Sequence, residues 1–325
     1  MGDGRMSVAW GVRCAAVLAV IVAASGPARA ACSLVLAANL PVQFTRSGRM
    51  AVPVSIDGTQ ISMTFDTGGA TNALSSATAA KLNLSEPDRH GSGDDDEDGY
   101  GVGGWRGARQ MVARKVQIGD MQGHAMAIEV MRPGRPGQID EDLLGVNFLG
   151  NVDIDIDVLA ARITLYGPSG DCSQPSTPLK GELYTTHLLH TDDDEDVRPH
   201  IAVTLGGRRL RAIIDTGTDG FAITRRAASD IGVTDAMLAA DAQATATGIG
   251  GTVAIWHHVF AKMDIGEVSL GPLRMAVVNQ PQGDDWDVVL GMKFLRLVHV
   301  WISRSSGTVI MQVPPLPPVH LPGKS

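Results

Sequence analysis

Two stretches of this chain carry the same signals in the same order, and that duplication restricts the fold more tightly than any composition does. At a spacing of 149 residues, Val52-Pro53-Val54-Ser55-Ile56-Asp57-Gly58 lies on Ile201-Ala202-Val203-Thr204-Leu205-Gly206-Gly207, and Asp66-Thr67-Gly68 lies on Asp215-Thr216-Gly217. Leu74, Leu82 and Leu84 fall on Ile223, Ile231 and Val233 at the same spacing. At 147, Gly101-Val102-Gly103-Gly104 meets Gly248-Ile249-Gly250-Gly251, and Ile118-Gly119 meets Ile265-Gly266. At 146, Leu144-Gly145 with Phe148-Leu149 meets Leu290-Gly291 with Phe294-Leu295. Chance apolar runs would not also align these glycines. A two-fold repeat of this length implies two similar lobes, because a solenoid needs three or more short units.

The local signals are those of strands. Met50–Ile56 and Gln60–Phe65 are short aliphatic runs joined by Asp57-Gly58, a hairpin pair that Gly206-Gly207 repeats. Val152 to Val158 alternates strictly, which predicts a strand with one buried face and Asp153, Asp155 and Asp157 turned outward. Short helices are expected after each Asp-Thr-Gly, over Ser75–Leu82 with Ser75 as cap and over Thr224–Ile231. The 38 Gly and 17 Pro spaced between short strands fit an all-β architecture of two lobes related by a pseudo-two-fold axis.

The N-terminus reads as a signal peptide over residues 1–30. Arg5 and Arg13 precede the apolar run Cys14 to Ala24, and Ala28-Arg29-Ala30 is a small-x-small cleavage site. The run is shorter than the roughly 20 residues a spanning helix needs, so export with cleavage is expected rather than stable membrane insertion. Arg29 stands where a lipidation site at Cys32 would want an aliphatic residue. Three Arg and one Asp leave with that segment, so 27 basic and 35 acidic residues become 24 and 34, a net charge of −10. Such a balance argues against nucleic acid or anionic lipid as partner. Cys14 leaves too, and the two cysteines left in an exported chain predict a Cys32–Cys172 disulfide, with a pair of free thiols as the alternative. The expected layout is an N-terminal lobe over 31–170, a linker over 171–185 containing Pro175 and Pro178, a C-terminal lobe over 186–313, and a proline-rich tail over 314–325.

An Asp-Thr-Gly turn at the end of a buried strand delivers a carboxylate to a fixed point, with a glycine beside it that lets backbone amides crowd close. Two such turns brought together make Asp66 and Asp215 neighbours. Like charges at that distance cannot both ionise, so one proton is shared. The ionised member takes a proton from water while the protonated one donates to a substrate carbonyl. The bland reading of each aspartate is a turn residue capping its own loop. Both copies sitting in register beside the glycine-rich and Leu-Gly elements favour the paired reading.

These pieces together resemble a single-chain, duplicated retropepsin-like aspartic protease of the kind found in bacterial exported proteins. The match lies in Phe65–Gly68 and Ile214–Gly217, in the glycine-rich segments Gly101–Gly104 and Gly248–Gly251, and in Leu143-Leu144-Gly145 and Val289-Leu290-Gly291. The resemblance implies Asp66 and Asp215 as the catalytic pair, with Thr67 and Thr216 hydrogen-bonding across the lobe interface and Gly68 and Gly217 supporting. It implies that Gly101, Val102, Gly103, Gly104 and Gly248, Ile249, Gly250, Gly251 form flaps over a bound peptide or protein substrate. A monomer without a cofactor would suffice, because one chain supplies both half-sites. It implies a periplasmic or secreted endopeptidase. The residue after each motif departs from the family's usual Ala or Ser: it is Gly69 in one copy and Thr218 in the other. Thr218 can donate to the outer oxygen of Asp215 and Gly69 has no side chain to do so, which predicts unequal carboxyls with Asp215 the more easily ionised.

Other chemistries fit less well. The run Asp94, Asp96, Asp98, Gly99 begins like a calcium loop, but its twelfth position is Trp105 where a bidentate Glu is required. The acidic runs 94–98 and 192–196 read as solvated loops. His187, His190 and His257-His258 lack partners at metal-ligand spacing, so no metal is expected. The glycine-rich segments lack the Lys-Ser/Thr and helix start of a phosphate cradle. Tyr100, Trp105 and Trp256 near the flaps are candidates for substrate contact or for packing at the flap base. The competing function is a catalytically silent peptide-binding module of the same fold, for which Gly69 argues and the retained aspartate pair does not.

Overall fold

The computed structural model describes residues 31–82, 84–86, 98–101, 104–136, 138–150, 152–190, 196–279 and 286–314. Residues 1–30, the acidic positions 94–97 and 192–195, Val102, Gly103, the side chains of Tyr100 and Trp105, and the tail from 315 lie outside them. The chain is mostly β, with an eight-stranded sheet built from the first half, a nine-stranded sheet built from the second, and a six-stranded sheet shared by both. Two similar lobes thus stand on a common base.

Each lobe begins with the expected hairpin. Met50–Ile56 pairs with Thr59–Phe65 from Ala51↔Thr64 to Ile56↔Thr59, and His200–Leu205 pairs with Arg208–Ile214 from His200↔Ile213 to Leu205↔Arg208. Both turns take two consecutive left-handed residues, Asp57 (φ 49°) with Gly58 (φ 86°) and Gly206 (φ 57°) with Gly207 (φ 76°). That twist matches the strands, and Asp or Gly tolerates it. In each lobe the second hairpin strand then pairs in parallel with the Leu-Gly element, Phe65↔Leu144 in one and Ile214↔Leu290 in the other. This pairing brings a distant chain segment beside the strand end that precedes each aspartate.

The shared sheet records the duplication in its register. At its centre Asp153–Asp157 pairs antiparallel with His299–Ser303, as Ile154↔Ile302, Asp155↔Trp301 and Ile156↔Val300. The repeat offset there is 146, so Asp155 faces its own equivalent, Trp301, and the flanking pairs exchange equivalents. The pseudo-two-fold axis therefore passes through the Asp155–Trp301 pair. The expectation of three outward aspartates is corrected here. Asp153 is fully buried and accepts bonds from Ser303 Oγ (3.0 Å), Arg304 N (2.9 Å), Ser305 N (3.2 Å) and Ser305 Oγ (2.9 Å). The strand sits mid-sheet rather than at a wetted surface, so its carboxylates take protein partners. Asp155 bonds to His299 Nε2 and Asp157 lies 3.8 Å from His299 Nδ1. Burial alone would lower the His299 imidazole, but the Asp155 hydrogen bond and the two carboxylate charges raise it on balance.

Cys32 and Cys172 form a disulfide (Cα–Cα 4.6 Å), pinning the start of Ser33–Pro41 just past the end of its partner strand Arg162–Ser169. The expected helices are present but short: Ser76–Ala79 with Ser75 capping through Thr78 N, and Arg225–Asp230 with Thr224 capping through Ala227 N. Two more helices, Asp235–Ala240 and Met292–Leu295, were not foreseen. The first has a legible start, since Thr234 accepts from Met237 N. Asp196, read as part of a solvated run, is instead largely buried and grips Arg198 in a two-pronged pair at 2.8 and 2.9 Å.

Candidate active site

The aspartates sit where the repeat puts its strand ends. Asp66 N–H donates to Leu144 O (2.9 Å) and Asp215 N–H to Leu290 O (3.1 Å), so each Leu-Gly element clamps the backbone of one aspartate. The glycines after those leucines are required by space: a Cβ on Gly145 would come within 2.2 Å of Thr71 O, and one on Gly291 within 2.3 Å of Gly220 O. Each clamp therefore packs against the loop that follows its aspartate.

The two loops are locked to each other by their threonines, both fully buried. Thr67 Oγ1 donates to Ile214 O (2.7 Å) and accepts from Thr216 N (3.1 Å). Thr216 Oγ1 donates to Phe65 O (2.5 Å) and accepts from Thr67 N (3.0 Å). Four bonds close a ring across the pseudo-axis and satisfy both hydroxyls and both amides. A buried network of this kind is stiff because any opening leaves a polar group unpaired.

Glycine at the third motif position has a reciprocal cause. A Cβ on Gly68 would lie 2.4 Å from Asp215 Cγ, and a Cβ on Gly217 would lie 2.5 Å from Asp66 Cγ. Each carboxylate rests against the glycine of the other loop, so the two are neighbours at the floor of a cleft. The cleft encloses about 180 Å³ and is lined by both aspartates, Gly68, Gly217, Thr218 and Ile249, among others. Asp66 Oδ1 accepts from Gly68 N (3.0 Å) and Gly69 N (2.9 Å). Asp215 Oδ1 accepts from Gly217 N (2.7 Å), and its Oδ2 accepts from Thr218 Oγ1 (2.6 Å). The side-chain donor is present on one side alone, as the Gly69/Thr218 difference predicts. Desolvation first, then the charge of Asp215 and a hydrogen bond to it, hold the Asp66 carboxyl well above the usual carboxylate range, against the lowering by the two amides.

Above the dyad the glycine-rich segments meet. A Cβ on Gly250 would land 2.2 Å from Gly104 O, so the turn of one hairpin touches the closing pair at the tip of the other. Gly248 N–H bonds to Gly251 O (2.8 Å), Gly248 O accepts from Ile139 N (3.0 Å), and Gly250 O accepts from Gln138 Nε2 (3.0 Å). Ile249 packs on Ala73, Met131 and Leu143 of the opposite lobe. Gly101 pairs with Gly104 at the end of its hairpin, while Val102 and Gly103 fall outside the described residues. Trp256 lies under the Arg225 guanidinium, 5.0 Å from the ring centroid.

Several cleft residues escaped the sequence reading, Trp286, Arg49 and Arg198 among them. Trp286 lines the cleft from just before the second Leu-Gly element. Arg49 and Arg198 line it as well, and they are 149 residues apart, so they are repeat equivalents three positions before the aligned segment begins. Extending the repeat upstream would have found both. Arg49 is held by Glu141 (3.2 Å) and reaches Gly217 O (3.5 Å), and Arg198 is held by Asp196.

Two halves with a shared floor of paired Asp-Thr-Gly loops define an aspartyl protease architecture, and each half is recognisable by itself. Residues 52–151 match the family model described as gag-polyprotein putative aspartyl protease, and residues 201–294 match the one described as Aspartyl protease. Together the two matches fit a duplicated retropepsin-like aspartic protease carried on one chain. No curated protein matches the chain.

Proposed function

We propose that the chain is an exported aspartic endopeptidase that hydrolyses peptide bonds with a water activated between Asp66 and Asp215. The observation that carries this is the reciprocal contact of each carboxylate with the other loop's glycine, which sets the two carboxyls side by side on the floor of the cleft. Asp66 holds the shared proton and donates a hydrogen bond to the substrate carbonyl oxygen. Asp215 takes a proton from the water as the water oxygen attacks the carbonyl carbon and Asp66 passes its proton to the carbonyl oxygen, giving a tetrahedral diol with no covalent bond to the enzyme. Transfer of the Asp215 proton to the amide nitrogen and return of one diol proton to Asp66 let the C–N bond break, releasing an acid and an amine. Gly248–Gly251 and Gly101–Gly104 act as flaps that exclude bulk water.

The silent-module alternative gains little from Gly69, because its backbone N–H supplies at 2.9 Å the second bond that Asp66 Oδ1 needs. Both half-sites in one chain support a monomer. Residues 1–30 would be cleaved on export, and the disulfide supports a periplasmic or secreted location. Among the described residues no helix is long and apolar enough to cross a membrane. The proposed lobes are 31–170 and 186–313. The test is digestion of a proteome-derived peptide library at mildly acidic pH by wild type and Asp66→Asn. Cuts present in the first and missing in the second support the reading, and identical profiles refute it.

A further inference from the structure

Beside the cleft lies a larger hollow of about 480 Å³ that the hydrolytic steps leave unused. Its floor is one face of the nine-stranded sheet. In the pairing of Thr252–Phe260 with Leu273–Val278, Ile255 sits opposite Val278, His257 opposite Ala276 and Val259 opposite Arg274. Cross-strand partners and alternate residues share a face, so Ile255, His257, Arg274, Ala276 and Val278 all look into the hollow. Ala222 pairs with both Ala276 and Val289, carrying that face toward the strand that clamps Asp215. The hollow exists because Ala222 and Ala276 are short where the flanking positions carry Ile255, Val278 and Trp286.

The floor is apolar and the rim is cationic. Arg274 and Lys293 are both exposed at the edge and, among the described residues, neither makes an ion pair. Asp219, the one carboxylate on the described lining, lies 3.6 Å from Arg49 instead. Burial, then the charges of Arg274 and Lys293, hold the His257 imidazole below its ordinary value, so both cations act on the same small volume. In a chain of net charge −8, a rim of this sign marks a place for an anion.

We infer that this hollow is a substrate side-chain subsite selective for an acidic residue on an aliphatic stem, a glutamate, whose methylenes lie over Ala222 and Ala276 and whose carboxylate meets Arg274 and Lys293. The inference deepens the proposed peptidase reading and rests on it for the nature of the ligand, but its test does not require turnover. The probe is a set of fluorescently labelled hexapeptides in which one position at a time is fixed as Glu, Gln, Leu or Lys. Binding is read by anisotropy on the full mature chain carrying Asp66→Asn. At one position the Glu peptides bind about tenfold more tightly than their Gln counterparts at low salt, and the ratio shrinks as salt rises. The ratio falls to near one when Arg274→Gln and Lys293→Gln are added, and Arg274→Glu with Lys293→Glu turns the preference toward Lys. Equal affinity for Glu and Gln at every position, or a Leu preference unchanged by the rim substitutions, overturns the inference. The Glu-to-Gln ratio of the Asp66→Asn chain with its rim intact decides it even if the rim variants misfold. Acid-selective binding without any peptide cleavage by the unmutated chain would refute the peptidase reading and leave the subsite standing.

Discussion

Adding one methyl group at Gly217 should separate the dyad while leaving the fold intact. The glycine's backbone lies outside the left-handed region, so Gly217→Ala meets no conformational penalty. Its Cβ, however, would sit 2.5 Å from Asp66 Cγ and Oδ1, whereas ordinary contact begins near 3.4 Å. Asp66 must therefore retreat by about 0.9 Å, the difference between those distances. A displacement near 1 Å costs on the order of 10²-fold in rate, or about 2.7 kcal/mol of transition-state stabilisation. The unfolded chain loses freedom on gaining a side chain, which returns about 0.4–1 kcal/mol of stability and offsets part of the clash. The expected outcome is thus a kcat/KM down about 100-fold with a Tm within a few degrees of wild type. Gly167→Ala is the control, because its nearest neighbour would be Val35 O at 3.9 Å, and it should leave both quantities alone. Hydrolysis of a fluorogenic peptide and thermal melts monitored by circular dichroism read the two effects. Wild-type kcat/KM in a folded Gly217→Ala protein would refute the claim that the Asp66 carboxyl works from its observed position.

Other expectations follow from the same geometry. Thr216→Val removes a hydroxyl that serves Phe65 O and Thr67 N, and should cost about 1–3 kcal/mol in urea unfolding with activity falling as well. Asp153→Ala strips the acceptor from two backbone amides and two serine hydroxyls at the lobe interface and should cost about 3 kcal/mol or more, far beyond what a surface aspartate would. Reduction of Cys32–Cys172, which closes a loop with a sequence separation of 140, should lower stability by about 2–4 kcal/mol, visible as a lower Tm in dithiothreitol. The Asp66 carboxyl titrates higher in the folded state than in the unfolded chain, so its stabilising contribution is complete below the ordinary carboxylate value and is lost as pH rises through the folded value. Asp66→Asn should accordingly be more stable than wild type at neutral pH, with the gap closing in acid, and wild-type activity should fall as pH rises through the same titration.

Much of this arrangement was legible because the repeat is read twice. A single Asp-Thr-Gly is an ordinary turn, but Asp66 and Asp215 in register with Leu144-Gly145 and Leu290-Gly291 favour paired aspartates; the parallel clamp itself is visible only in the structure. The unequal donors at Gly69 and Thr218 were foreseen from residue type, whereas the threonine contact across the lobes was implied by the family resemblance. The outward reading of Asp153 failed because alternation reports a face and not what covers it; here the second half of the chain supplies the cover. Arg49 and Arg198 went unseen because the repeat was not followed three positions upstream, and Trp286 because it sits in an irregular segment before its strand, where no pattern marks it. The hollow behind Ala222 and Ala276 depends on cross-strand pairs far apart in sequence and was equally hidden.

The most direct test is a double-mutant cycle on kcat/KM with Asp66→Asn, Asp215→Asn and both together. One shared-proton centre predicts that either substitution alone removes nearly all turnover and that the double variant is no worse than the poorer single, because the carboxyls act as a unit. A single variant that keeps the wild-type rate, or losses that simply multiply, would contradict a dyad formed across the two halves of this chain.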